Sequence, residues 1–547
     1  MATYTEETDA AASRSTAYKI AAGDTFTGAL ATGDADWIKV SLTAGKAYQF
    51  DMSGTVGWAG LQVMDADGIA IDIDENSLDT DFEKSTLSVF AEKSGTYYIR
   101  VGSHDDEWSG DYALKTTVVT APKFASYDTI AKQLTTDFWT SDGGTPFKFN
   151  IAVSAPTLTV NVGALTAQGQ QLAKWALTAW TEASGIRFKF VSGSAQISFD
   201  DKEGGAYGGS TSIIGGFTTA SFVNVAASWI TDYGAGADSY TMSTYVHEIG
   251  HALGLGHAGN YDGNATWGID NRFENDSSQL TVMSYFDDQV SVWAGGSGTT
   301  SITPMMVDVL AIRNLYGTTA ISSGNTTYDL KSDFLGKDVA MNLVDTGGSD
   351  TLNFSWASGN QRIDLNAEEF SSVSGGINNL SLSRGTVIEN AIGGKGVDVI
   401  VGNAVANILE GRAGQDKLIG NGGNDKLIGG TGNDTLTGGS GKDTFVFSSA
   451  LNSSTNVDTI TDFSVVDDLI HLENAIFTAF TKNGAISSGN FLKSTSPTAK
   501  DSNDFLVYET DTGNLFYDAN GSKSGGSIMI AHLDKSLALS YQDFLIV

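Results

Sequence analysis

The sequence predicts a multidomain, mostly β protein with an amino-terminal antiparallel β-sandwich, a central α/β region and a carboxy-terminal region built from short repeated strands. Its 547 residues suffice for about three to five domains. Alternation of apolar and polar residues dominates both ends of the chain, whereas apolar spacing of three and four residues is confined to the centre. A nine-residue repeat runs without a gap from Gly393 to Val446.

The composition excludes several classes of function. Lysine and arginine total 31 against 64 aspartates and glutamates, a formal net charge of −33, so we expect cations as partners and no nucleic acid. The chain has no cysteine, which excludes disulfides, thiolate catalysis and cysteine-ligated metals. No stretch of about 18 apolar residues and no basic-then-apolar leader occurs, so we expect no membrane span and no amino-terminal export signal.

Residues 1–17 are polar and aperiodic and predict a flexible leader, and residues 18–121 predict the β-sandwich. The segments GTYYIRVGS, from Gly95, and GDYALK, from Gly110, resemble the bacterial pre-peptidase C-terminal domain, an accessory module of secreted peptidases. Its acidic turns at 65–68 and 72–74 are interpreted as solvated loops, with calcium binding as the alternative. The predicted strands are Trp37–Leu42, Tyr48–Met52, Leu61–Met64, Tyr97–Val101 and Tyr112–Lys115.

The region 122–320 predicts mixed α/β structure. Apolar periodicity predicts helices over 166–183, over 241–254 and after Pro304. Residues 321–392 lead into the repeats at 393–446, and residues 447–547 predict a further β domain that includes an uncleaved secretion signal.

The second helix carries the pattern HEIGHALGLGH. His247 and His251, four residues apart, project from one helical face at a spacing that suits two nitrogen ligands on one zinc ion. Glu248 points about 100° away round the helix, where it can reach a water molecule without displacing a histidine. Gly254 can end the helix in a left-handed conformation, so that His257 reaches the same metal. Three imidazoles leave a fourth position open, which is typical of a catalytic zinc.

The sequence resembles the serralysin family of secreted metzincin endopeptidases over 122–547, in HEIGHALGLGHAGNY, the TVMSYF turn, TPMMVDVLAIRNLYG and the nonapeptide array. The resemblance implies a metzincin catalytic domain in which Met283 lies beneath the zinc ligands and Glu248 is the general base. It further implies that Tyr285 ligates resting zinc and then stabilises the oxyanion. Its topology implies that substrate adds as a strand to an edge formed by Gly205, Ala206, Tyr207 and Gly208.

The nonapeptides predict calcium sites. Each unit has six turn residues and three strand residues, with an apolar side chain facing inward; we expect Val399, Ile408, Leu418, Leu427, Leu436 and Phe445 in that role. Glycine opens all six units and a carboxylate stands sixth in five of them, and hard oxygen ligands of this kind suit Ca²⁺. Asn407 replaces the carboxylate in the second unit, which makes its site the doubtful one. The expected calcium-binding positions are Asp398, Asp416, Asp425, Asp434 and Asp443 with Gly393, Gly411, Gly420, Gly429 and Gly438.

By the resemblance, the array forms a parallel β-roll with a flanking β-sandwich. We therefore predict a monomeric, calcium-stabilised zinc endopeptidase of broad specificity that acts on extracellular proteins and is exported by the type I secretion machinery. The alternative is a catalytically inactive calcium-binding surface or matrix protein, against which the intact Glu248 argues. A third interpretation makes the amino-terminal sandwich a carbohydrate- or protein-binding module.

Overall fold

The computed structural model describes residues 2–56, 59–74, 84–103, 109–141 and 143–547, which separate into two compact units. The first unit comprises residues up to Ile321 together with Lys337–Val344 and Gly376–Arg384. The second comprises Ser322–Gly336, Asp345–Gly375 and Gly385–Val547. No helix among the described residues is long and apolar enough to cross a membrane.

The first unit begins with two five-stranded sheets whose strands alternate buried and exposed side chains, as in Asp36–Leu42. The sheet orders are β1-β3-β10-β5-β8 and β2-β4-β9-β6-β7, and their inner faces enclose one apolar core that includes Phe26, Ile38 and Phe50. The strands are β1 Thr3–Thr5, β2 Lys19–Ile20, β3 Thr25–Leu30, β4 Asp36–Leu42, β5 Lys46–Gly54, β6 Ala59–Met64, β7 Ala70–Asp74, β8 Lys84–Ala91, β9 Gly95–Ser103 and β10 Gly110–Val119.

The structure differs from the expected flexible leader. Strand β1 pairs in parallel with β3, and the Glu6 amide donates to the Thr27 carbonyl at 2.9 Å. Ala10 and Thr16 are buried. The residues that pair with this segment lie some twenty residues further along the chain. The local periodicity of the sequence therefore does not predict the pairing.

The rest of the first unit packs helices against a five-stranded sheet of order β13-β12-β14-β18-β15, in which only β15 runs antiparallel to its neighbour. The predicted helices are present, and Pro304 lies just before Met305, the N-cap of the third. The strands are β11 Lys148–Phe149, β12 Thr157–Asn161, β13 Arg187–Phe190, β14 Ile197–Asp200, β15 Ala206–Ser210, β16 Ile213–Ile214, β17 Phe217–Thr218 and β18 Ser221–Val225. The helices are α1 Tyr127–Lys132, a π-helical turn Gln133–Asp137, α2 Phe138–Ser141, α3 Ala167–Ser184, α4 Ala227–Tyr233, α5 Tyr240–Leu253 and α6 Met306–Tyr316.

Three short strands complete this unit: Thr300–Ser301 pairs in parallel with Val339–Leu343, which pairs in parallel with Leu380–Leu382.

The second unit winds into successive coils. Within the repeats each strand pairs in parallel with the strand 18 residues further on, as Lys417–Ile419 does with Thr435–Thr437. Two nine-stranded sheets result. One contains Thr327–Tyr328, Thr351–Asn353, Asn390–Ile392, Ile408–Ala413, Lys426–Thr431, Thr444–Phe447, Leu469–Leu472, Phe544–Ile546 and Gly484–Ala485. The other contains Arg362–Asp364, Val399–Val401, Lys417–Ile419, Thr435–Thr437, Asp458–Ile460, Ser527–His532, Asn514–Asp518, Leu506–Glu509 and Phe491–Ser494. Strand Phe370–Ser371, helix α7 Lys331–Phe334 and two 3₁₀ turns, Ser488–Asn490 and Tyr541–Asp543, complete it.

In the second nonapeptide, Gly402–Glu410, the residue that faces inward differs from the predicted one. Ile408 is 48% exposed, whereas its neighbour Leu409 is fully buried. In the first nonapeptide, Gly393–Val401, Ile400 is fully buried beside Val399. The eighth residue of each nonapeptide, two after the sixth-position side chain, is thus the one that fills the core. The sequence alone did not distinguish this residue from an apolar seventh one.

Candidate metal centre and active site

Helix α5 presents the first two histidines on one face. Its first turn is capped by the Ser239 hydroxyl, which accepts a hydrogen bond from the Met242 amide. Its apolar stripe, which includes Tyr245, Val246 and Ile249, is buried. The helix ends at Gly254, whose φ of +106° belongs to the left-handed region, and a Cβ there would collide with the Phe147 carbonyl. This turn brings the chain back toward the helix.

The return brings three imidazoles together. The Nε2 atom of His257 lies 3.2 Å from that of His247 and 3.0 Å from that of His251. Each ring places Nδ1 against a carbonyl oxygen, which can only accept a hydrogen bond, so Nδ1 carries the proton and the Nε2 lone pair is free. The carbonyls belong to Val282 at 2.6 Å from His247, Leu255 at 2.8 Å from His251 and Tyr261 at 2.7 Å from His257.

The electrostatics of the cluster fit a cation. Burial lowers the pKa of His247 to about 3 and that of His251 to about 4, and it holds the pKa of His257 well below its usual range. All three rings are therefore neutral near pH 7. Three converging lone pairs repel one another unless an electrophile lies between them, and three neutral imidazoles are a donor set that zinc prefers.

Glu248 lies next to the first histidine and is 5% exposed. Its Oε2 atom is buried and accepts no hydrogen bond from the described residues. Burial, reinforced by the nearby Asp262, raises the pKa of Glu248 to about 8. Without a cation this carboxyl group is protonated at neutral pH. The positive charge of a metal ion at the histidines would favour the carboxylate, whose unpaired oxygen is then suited to receiving a proton.

The turn at Met283 lies under α5. A Cβ on Gly250 would come within 2.6 Å of the Met283 sulfur, so the glycine allows the turn to approach the helix. Asp308, at the start of α6, holds this turn: it accepts the amides of Val282 and Met305, each at 2.8 Å, and the Thr281 hydroxyl. Burial raises the pKa of Asp308 to about 7.

Tyr285 packs its ring on His257, with 4.5 Å between ring centroids, and its hydroxyl accepts the Gly263 amide at 3.5 Å. Burial raises the pKa of Tyr285 to about 12, so this hydroxyl keeps its proton at neutral pH. Tyr261 stacks on the same histidine and donates to Asp276 at 3.1 Å. Both tyrosine rings therefore contact the His257 ring and restrict its orientation.

The expected substrate edge lies against the same helix. Strand β15 ends the sheet order, so no described strand pairs with its outer edge. It contains Ala206, Tyr207 and Gly208, and Gly205 precedes it with φ +83°. A Cβ on Gly208 would collide with the carbonyl of Glu248, so glycine permits the close approach of strand and helix.

The second unit holds two rows of carboxylates. In each row Oδ1 of one aspartate accepts the backbone amide of the residue one coil earlier, as Asp434 accepts from Asp416 at 2.8 Å. The first row is Asp398, Asp416, Asp434 and Asp458, and the second is Asn407, Asp425, Asp443 and Asp468. Each row is separate because successive nonapeptides belong to opposite sides of the coil.

The second oxygens of four of these aspartates, Asp416, Asp425, Asp434 and Asp443, are buried and accept no hydrogen bond from described residues. Each of these oxygens lies beside the glycine that opens its own nonapeptide, and a Cβ on that glycine would displace the oxygen. Unpaired buried carboxylate oxygens next to glycine carbonyls fit a hard cation such as Ca²⁺. Asn407 differs, because its Nδ2 donates to the Glu389 carbonyl at 2.9 Å and needs no cation.

Sequence reasoning missed five residues around these sites. Asp308 and Asp276 support the histidine cluster through contacts with other segments, and Tyr261 supports it through its carbonyl four residues after His257; no spacing rule marks them. Asp458 and Asp468 extend the two rows beyond Val446. Their offsets of 24 and 25 residues from the preceding row members break the period of 18. Asp458 opens a short strand and Asp468 precedes one, a signal that was available.

Comparison with known proteins first defines the class. The family model described as metallo-peptidase family M12B, reprolysin-like, matches residues 158–308, which include the three histidines. The model described as peptidase M10 serralysin C terminal matches residues 321–525. The catalytic region is therefore that of a metallopeptidase, followed by a serralysin carboxy-terminal region.

The relatives define the family. Serralysin B of Dickeya chrysanthemi is 33% identical over 360 residues, which cover 58% of this chain and 73% of that protein. Metallopeptidase AprA of Pseudomonas marginalis is 29% identical over the same shares of both chains. Metalloprotease AprA of Pseudomonas entomophila is 36% identical over 42% of this chain and 52% of its own. The chain belongs to the serralysin family and is a metalloendopeptidase.

Solved structures add nothing to this assignment. The R3 subunit of the Azotobacter vinelandii mannuronan C5-epimerase AlgE6 matches 28% of this chain and 80% of its own at 27% identity, but with a TM-score of 0.21.

Proposed function

We propose that the protein is a secreted zinc endopeptidase of broad specificity whose fold depends on calcium. The observation that carries the proposal is the convergence of three neutral Nε2 atoms, each ring held by a carbonyl at Nδ1, beside the unpaired carboxylate oxygen of Glu248. A zinc ion held by His247, His251 and His257 would polarise the scissile carbonyl and acidify water.

The residues of the chain then supply proton transfer and charge stabilisation. Glu248 accepts the proton of the attacking water at Oε2 and delivers it to the departing amide nitrogen. Tyr285, which keeps its proton at neutral pH, donates a hydrogen bond to the substrate oxygen as negative charge develops on it. Ring contacts from Tyr285 and Tyr261 keep His257 in position.

Substrate selection follows from the outer edge of β15. An extended peptide that pairs with this edge is held by backbone hydrogen bonds, which every sequence can make. Little side-chain selection is then required, which supports broad specificity toward proteins.

Calcium and export belong to the second unit. We infer that Ca²⁺ binds at the unpaired oxygens of Asp416, Asp425, Asp434 and Asp443. At the low calcium of the cytosol these carboxylates repel and the coils stay unfolded, which suits passage through the type I secretion machinery. Millimolar external calcium then drives folding outside the cell.

The test is hydrolysis of casein by calcium-loaded, full-length protein, with Glu248→Gln compared with Glu274→Gln in the same unit. We expect Glu248→Gln to lower kcat by about 10²–10⁴-fold while bound zinc, measured by mass spectrometry, is unchanged. Glu274→Gln should retain activity. Full activity in Glu248→Gln would contradict the assigned base, and no turnover by zinc-loaded wild type would favour the inactive calcium protein.

A further inference from the structure

A further group of potential cation ligands lies in the amino-terminal sandwich. Glu6 and Asp9 follow strand β1, and Asp36 opens β4. One carboxylate oxygen from each of the three lies within 4.8 Å of one from each of the others. The fold therefore brings three carboxyl groups together across about thirty residues of sequence.

The buried member of this cluster has an unsatisfied oxygen. Asp36 is 0% exposed, and its Oδ2 accepts the Tyr112 hydroxyl at 2.7 Å. Its Oδ1 is also buried but accepts no hydrogen bond within the described ranges. Burying a carboxylate oxygen without a partner is costly, so a missing electropositive partner is the simplest completion of the site.

The part of the chain that the structure describes supplies no such partner. Among the ion pairs of the described residues, none joins a lysine or arginine to Glu6, Asp9 or Asp36. The neighbouring Asp34 adds a further negative charge. Burial and these neighbouring acids raise the pKa of Asp36 to about 7, because its negative charge is unfavourable there unless a cation lies between the three groups.

The cluster is also held in place. The Glu6 carboxylate accepts the Ala10 amide at 2.7 Å and the Ala29 amide at 3.0 Å, which orients it and leaves further lone pairs for a metal. On Gly28, a Cβ would come within 2.7 Å of the Tyr112 hydroxyl and 2.8 Å of Glu6 Oε2. Glycine at this position keeps the space beside the carboxylates free.

We propose that Glu6, Asp9 and Asp36 bind one Ca²⁺ ion that fastens the amino-terminal segment to the sandwich. Carboxylate oxygens suit this hard cation, whose remaining coordination positions are filled by water. Because two ligands come from the segment 2–10 and the third from β4, the ion joins both parts. Without calcium the like charges repel one another and the segment 2–10 detaches from the sandwich. This response to calcium is independent of the response of the repeats.

The test is hydrogen exchange, read by mass spectrometry, on the full-length chain carrying Glu248→Ala to prevent self-cleavage. Exchange in the peptide 2–17 is followed as calcium chloride is titrated after removal of metals by a chelator. We expect calcium to slow exchange in this peptide, and Asp9→Asn and Asp36→Asn to raise the half-saturating calcium concentration at least about tenfold. Glu7→Gln, an exposed acid of the same segment, is the matched control and should behave as the parent.

Exchange in the peptide 46–54, at the centre of the sandwich, reports whether a variant still folds, and the peptide 393–446 reports the separate response of the repeats. If Asp36→Asn unfolds the sandwich, Asp9→Asn decides, because its side chain is exposed. The proposal is overturned if calcium leaves exchange in 2–17 unchanged in the parent, or if Asp9→Asn responds to calcium as the parent and Glu7→Gln do. Neither outcome bears on the peptidase or the repeats.

Discussion

At the scale of single residues, Asp308 ties together two chain segments beneath the histidine cluster. Its carboxylate accepts the amides of Val282 and Met305 and the hydroxyl of Thr281. Val282 also provides the carbonyl that orients His247. The orientation of the His247 ring therefore depends on a carboxylate that acts through the Val282 backbone and not on the ring itself.

We predict that Asp308→Ala lowers the free energy of unfolding by about 3 kcal/mol, because it leaves two amides buried without partners. Asp308→Asn should cost only about 1 kcal/mol, because the amide oxygen still accepts both amides and the Thr281 hydroxyl can rotate to accept the new NH₂ group. Denaturant unfolding measures both variants. Equal losses in the two would contradict this account of the hydrogen bonds.

At the scale of elements, the contact between α5 and the turn at Met283 depends on a residue without a side chain. We predict that Gly250→Ala, whose Cβ would meet the Met283 sulfur at 2.6 Å, costs about 1–3 kcal/mol by overpacking and weakens zinc retention. Gly193→Ala, where a Cβ meets nothing within 4 Å, is the control. Thermal unfolding and zinc content after dialysis check the pair, and an unchanged Gly250→Ala would show that the turn can move freely.

The two rows of carboxylates can be tested by a pair of opposite substitutions, one that removes an expected calcium ligand and one that adds it. Asp425→Asn keeps the bond from the Asn407 amide but turns the unpaired oxygen into a donor, so we predict that it raises the calcium concentration needed for folding. Asn407→Asp should act in the opposite direction, adding a calcium ligand and destabilising the calcium-free coil, where it would face the Glu389 carbonyl. Calcium titration followed by calorimetry measures both. Identical titrations of the two variants would refute the assignment of the rows.

At the scale of the whole molecule, the carboxylate rows couple folding to pH. Burial, together with neighbouring carboxylates, raises the pKa of Asp416 to about 8 and that of Asp425 to about 7, and burial raises the pKa of Asp434 to about 6. The ordinary value is about 3.9, so between pH 4 and 8 the folded coil binds more protons than the unfolded chain. The stability of the calcium-free coil therefore falls as the pH rises through this window.

We accordingly predict that, in a chelator, the repeats unfold at lower denaturant concentration at pH 8 than at pH 5. With calcium present the concentration required for folding should instead rise as the pH falls, because protons and calcium compete for the same oxygens. Hydrogen exchange in 393–446, in the Glu248→Ala background, measures both trends. A calcium-free stability that increases toward pH 8 would contradict the pKa assignments.

The sequence by itself determined the features that depend on short spacing. A separation of four residues places His247 and His251 on one helical face, and a period of nine places carboxylates in rows, because the geometry of a helix and of a coil repeats at those intervals. Only the tertiary structure decided which distant groups meet: Asp308 under the histidines, and Asp36 beside the amino-terminal segment. Such contacts are chosen by the packing of whole elements, which leaves no periodic mark in the chain.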